Sequence, residues 1–137
     1  MNTPPASAVP RGLIEYTHSI YALHALSVLI GVLSARSVAL RFAFGLPSII
    51  AVIMNYGRRH EARTTWLESH FRWQIRTFWL VWLWLVVIFI ISMPLMLFFI
   101  GWLTALAGMA MVGAWVIYRV IRGWLALRDG LPMPEPP

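Results

Sequence analysis

Residues 77–118 read TFWLVWLWLVVIFIISMPLMLFFIGWLTALAGMAMVGAWVIY, with no charge between Arg76 and Arg119. The length of this run decides the fold. As one helix, its 42 residues would extend about 63 Å at about 1.5 Å per residue. The hydrocarbon core of a bilayer is only about 30 Å thick. The run must therefore fold back and give two spans. Pro94 and Gly101 bracket the expected turn, which places one helix over about 72–93 and the next over about 98–122.

Two further spans precede this pair. Residues 16–35 form 20 uncharged positions, the length a transmembrane helix needs. A second helix is expected over about 38–56. Only 16 residues separate Arg41 from Arg58, so Arg41 must lie near a membrane surface and extend its guanidinium to water. Pro47, after Gly45, should kink this helix or start its regular part. Residues 1–14, with three prolines, and residues 129–137, where prolines follow Gly130, are expected to be disordered tails. A cleavable signal is not expected: Glu15 interrupts the approach to the first apolar run, and the run is too long for a signal core. Cleavage after Ser34–Ala35 is the alternative. The expected fold is thus an all-α, integral membrane four-helix bundle over residues 15–128, with disordered Pro-rich termini.

Composition agrees with a lipid environment. Hydrophobic residues make up 60% and charged residues 12%, whereas soluble domains carry about 25% charge. The net charge is +6, and all basic residues are arginines. With four spans, nine arginines share the side of both termini and the middle loop, against Arg36 and Arg41 opposite. The positive-inside rule then places both termini in the cytoplasm of a bacterial inner membrane. Trp66, Trp73, Trp79 and Trp124 fall near that interface, and Trp102 near the other. The absence of Cys excludes disulfides and thiolate metal sites.

The stretch WLESHFRWQIRTFW, residues 66–79, sorts into three helical faces. Glu68, Arg72 and Arg76 follow at i, i+4 and i+8, with Glu68 ahead of Arg72 in the favourable order for an ion pair. Phe71, Ile75 and Phe78 form an apolar face. His70, Gln74 and Thr77 form a polar stripe, which Asn55 at the end of the second helix could join. Such a stripe serves interhelical hydrogen bonding and interfacial solvation, or a polar site at the mouth of the bundle. Arg58, Arg59, Arg72, Arg76, Arg119 and Arg122 are placed to contact lipid headgroups. The basic loop around Gly57–Thr65 could touch nucleic acid, but it suits anionic headgroups better, and no nucleic-acid partner is expected.

Small residues recur at four-residue spacing: Ser27, Gly31 and Ala35, then Gly101 and Ala105, and Ala110 and Ala114. This spacing lets helix backbones approach, inside the bundle or against another membrane protein or a second copy. His18 and His70 are the only histidine pair at matched depth that could ligate a b-type haem, although no cofactor is expected. No Asp or Glu lies inside an expected span, which weakens a proton-coupled transporter. No nucleotide loop, HExxH or paired carboxylates occur, so no catalytic residue or enzymatic activity is expected.

Two stretches carry a resemblance: GLPSIIAVIMNYGRRHEARTTWLESHFRWQIRTFW (residues 45–79) and YRVIRGWLALRDGLPM (residues 118–133). They resemble a domain-of-unknown-function family of small multi-pass proteins in proteobacterial inner membranes. That family is described as similar to the Tic20-type subunit of the chloroplast inner-envelope translocon. The resemblance covers roughly Tyr16 to Met133 and implies a four-helix membrane fold and an inner-membrane location. It assigns no functional residue. The sequence points first to a non-enzymatic accessory, assembly or translocon-like subunit acting through helix packing. The alternatives are a small haem-binding membrane anchor and a channel or transporter.

Overall fold

The computed structural model describes residues 9–33 and 38–134, except for the side chains of residues 38–44. Among these residues there are four helices and no strand. They are α1 (Arg11–Leu33), α2 (Val38–Ala62), α3 (Leu67–Leu95) and α4 (Ile100–Arg128), with a single 3-10 turn, Met96–Phe98, between the last two. Three of them are long and apolar enough to cross a membrane: α1, α3 with its 3-10 turn, and α4. The helix α2 is not among these three. It carries Arg58, Arg59, His60 and Glu61 in its last turns and Pro47 inside it.

Each helix extends beyond the apolar stretch read from the sequence. Hydropathy marks where a chain can enter lipid, whereas a helix ends where backbone hydrogen bonding ends. The helix α3 begins at Leu67 rather than about residue 72, because its amphipathic segment is helical before it becomes wholly apolar. Similarly, α2 runs to Ala62 and α4 to Arg128. The last described residues also differ from a free tail. Leu131 N–H bonds the Ala126 carbonyl at 2.9 Å, and Met133 is buried.

Neighbouring helices run antiparallel. Tyr16 reaches Met54, and His24 reaches Ser48. Likewise Trp73 reaches Arg119, and Ser92 reaches Thr104. α1 packs on α2, α2 on α3, α3 on α4, and α4 back on α1. One end of the bundle therefore holds the start of α1, the α2–α3 connection and the end of α4, and here it is called the basic end. The buried apolar cluster lies towards that end and includes Leu13, Ile20, Leu67, Phe71 and Leu127.

The opposite end closes α3 onto α4. Pro94 lies inside the last turn of α3, and Phe99 takes the left-handed conformation, φ 60°. A Cβ at Gly101 would overlap the backbone of Met96, Ser92 and Leu95. Glycine therefore allows the chain to turn this tightly. Thr104 Oγ1 donates to the Gly101 carbonyl at 3.0 Å and accepts from Ser92 Oγ at 3.1 Å.

Candidate functional site at the basic end

The helix α1 buries Leu13, Thr17, Ile20, Tyr21, His24 and Ser27. This is a single face at helical spacing, and four of its six members carry a hydroxyl or an imidazole. Thr17 satisfies itself by donating to the Leu13 carbonyl at 2.7 Å. Tyr21 reaches across the bundle instead. Its hydroxyl lies 2.9 Å from His70 Nδ1 on α3, and its ring occupies the space that a Cβ at Gly123 on α4 would need. One side chain therefore ties three helices together.

His70 is wholly buried, and both its ring nitrogens are engaged. Nε2 lies 2.7 Å from the Leu131 carbonyl. A carbonyl can only accept, so Nε2 carries a proton, and in the neutral ring Nδ1 accepts from the Tyr21 hydroxyl. These two contacts fix the neutral imidazole in one tautomer. Trp66 and Tyr21 meet its ring edge-on, at centroid distances of 5.6 and 6.0 Å. Ser69 continues the contact with the C-terminal segment, accepting from Met133 N–H at 2.9 Å.

A second polar knot joins α3 to α4. Thr77 Oγ1 donates to the Trp73 carbonyl at 2.7 Å and accepts from Arg119 Nε at 2.8 Å. The Trp73 indole N–H donates to the Arg119 carbonyl at 3.2 Å. The Arg119 guanidinium carbon lies 3.4 Å from the centre of the Trp73 ring. Cation–π stacking and hydrogen bonding thus hold a half-buried arginine without a carboxylate.

The polar stripe read from the sequence is an interior face. His70, Gln74 and Thr77 on α3 and Asn55 on α2 are all buried. They differ in how they are satisfied. His70 and Thr77 have partners, whereas both amide atoms of Asn55 and both of Gln74 are buried without one. Tyr21 and Gly123 escaped the sequence reading. A hydroxyl inside the first apolar run, one turn before His24, was the available signal for Tyr21.

The arginines read as headgroup contacts divide. Arg59, Arg72, Arg76 and Arg122 are exposed, and Arg122 also donates to the Tyr118 hydroxyl at 2.6 Å. Arg58 Nε binds Glu61 at 2.9 Å, and that hydrogen bond holds the Glu61 carboxyl below the usual carboxylate range. Arg119 turns inward, as described above. Of the small residues, Ser27 and Gly101 are buried, and Gly31 and Ala105 are half-buried. Ala110 and Ala114 are exposed, so they do not pack inside this chain. Ala35 lies outside the described residues. His18 accepts from the Trp124 indole at 3.1 Å. With His70 engaged at both nitrogens, this arrangement offers iron no free imidazole nitrogen on α3.

Compared with known proteins, the chain matches no family model, no curated protein and no solved structure.

Proposed function

We propose that this chain is a four-span bacterial inner-membrane protein with both termini in the cytoplasm, acting as a non-enzymatic accessory or assembly subunit. The carrying observation is how its polar groups are used. Tyr21, His70, Trp73, Thr77 and Arg119 bind one another or backbone carbonyls across helices. Meanwhile the outward faces of α3 and α4 are apolar over most of their length, including Trp82, Phe89, Ile90, Leu103, Leu106 and Met111. Polar chemistry in the bundle fixes helix geometry, and the apolar exterior suits lipid and neighbouring membrane helices. The nine-to-two arginine asymmetry supports the orientation. The resemblance of residues 45–79 and 118–133 to a domain-of-unknown-function family, itself described as similar to the Tic20-type subunit, is what suggests a translocon-like assembly.

The test is purification of a tagged copy from native membranes in mild detergent, followed by mass spectrometry of what accompanies it. The proposal expects a defined complex that dissolves when bulky residues replace the exposed Ala110 and Ala114. Solute flux by the isolated chain in liposomes would replace this reading with a transport function.

A further inference from the structure

The basic end carries an open groove of about 560 Å³ beside the Trp73–Arg119 knot. Arg59 from α2, Arg72 and Arg76 from α3, and Arg119 from α4 line it, and among the described residues no carboxylate does. Four arginines from three helices thus border one concavity. Arg119 is already oriented by Thr77 and stacked on Trp73, so a ligand need not order it. Such a donor set fits the oxygens of a phosphate ester, which arginine binds through paired N–H groups. The remaining walls include Ile75 and the docked Met133. The groove lies beside the start of the uncharged run at Thr77. A free phosphate would leave those apolar walls bare, whereas a phospholipid would cover them with its acyl chain.

We infer that this groove is a binding site for an anionic phospholipid, with its phosphodiester held by Arg59, Arg72, Arg76 and Arg119 and an acyl chain lying along Ile75 and Met133. The inference rests on the membrane reading above. It differs from general attraction of basic residues to an anionic surface, because the site is concave, built from three helices and partly preorganised. The Tyr21–His70–Leu131 chain shapes it indirectly, since it anchors the segment that carries Met133.

The experiment uses the full chain in a neutral detergent, with unfolding followed by tryptophan fluorescence. Cardiolipin, phosphatidylglycerol, phosphatidylcholine with matched chains, and inorganic phosphate are titrated separately. The inference expects a saturable rise of several degrees with the anionic lipids and none with phosphatidylcholine or with phosphate at the same concentration. The Arg59→Gln/Arg76→Gln variant changes two exposed groove residues. It should unfold at the parent's lipid-free temperature and need about tenfold more lipid, whereas Arg122→Gln, outside the groove, should behave as the parent. An equal rise with phosphatidylcholine, or an undiminished response in the double variant, overturns the site. An equal rise with phosphate alone overturns the lipid assignment and leaves an anion site. Carbonate extraction of the same variant separates the readings: a chain released from membranes defeats the membrane reading, whereas a retained chain that ignores anionic lipid defeats only this inference.

Discussion

The two ends of the α3–α4 pair are held by different means. At the basic end, Trp73, Thr77 and Arg119 form a closed set of hydrogen bonds and a cation–π stack, and α1 joins through Tyr21. At the turn end, a single hydroxyl pair, Ser92 and Thr104, sits beside a backbone contact that only Gly101 permits. Between them Ile88 fills the space that a Cβ at Gly108 would need, and just 6% of the apolar window of either helix is buried. Apolar contact cannot drive helix association in lipid, where tails are as apolar as leucine. Specificity must then come from close backbone approach and from polar contacts. The basic end relies on polar contacts and the turn end on close approach.

Substitutions at each end sharpen this contrast. The largest effect is expected at Gly123, where leucine would push into the Tyr21 ring. The cost should approach about 3 kcal/mol, the upper part of the overpacking range. Gly113, with nothing near its missing Cβ, should tolerate the same change. Thermal unfolding in detergent distinguishes the two, and equal stability would show that Tyr21 does not approach α4. At the turn end, Gly101→Ala should cost about 2 kcal/mol through backbone overlap. A neutral result there would mean that the turn opens freely.

Hydrogen bonds predict smaller changes. His70→Ala leaves the Tyr21 hydroxyl and the Leu131 carbonyl without their partner, and the loss should be about 1 kcal/mol. Its sharper readout is local: the C-terminal segment should become sensitive to limited proteolysis while the bundle stays folded. Continued protection would show that Ser69 and Met133 hold the segment unaided. The smallest effect is expected at Gln74, whose amide atoms are buried without partners. Gln74→Leu removes two unsatisfied groups, so stability should be unchanged or slightly higher. A clear loss of stability would reveal a partner for that amide, such as buried water. Loss of complementation in a deletion strain without loss of stability would make Gln74 part of a working site.

Much of this architecture can be read in the sequence because it is local. The uncharged run forces two helices, and Pro94 and Gly101 do flank the observed turn. The i, i+4, i+7 spacing of His70, Gln74 and Thr77 puts them on one face, which the structure buries. The rest depends on contacts between distant segments. Tyr21 meets His70 and Gly123 only after α1 has packed against α3 and α4, and no periodicity encodes that pairing. The proline-rich composition of the C-terminal segment suits disorder, yet one buried methionine and two backbone hydrogen bonds to Ser69 and His70 dock it. Arg119 is similar: its charge marks the end of the apolar run, but its inward turn depends on Trp73 and Thr77 from another helix.

The proposal that the bundle crosses the membrane four times turns on α2, the helix that lacks the apolar length of the other three. The chain contains no native Cys, so single cysteines report position cleanly. One is placed at Ser37, just before α2, and another at Thr64, just after it, and each is treated in intact cells with a membrane-impermeant thiol reagent. Four spans with cytoplasmic termini predict that Ser37→Cys labels from outside, while Thr64→Cys labels only after the membrane is opened. Labelling of both positions from the same side would show that α2 does not cross, and would contradict the four-span account.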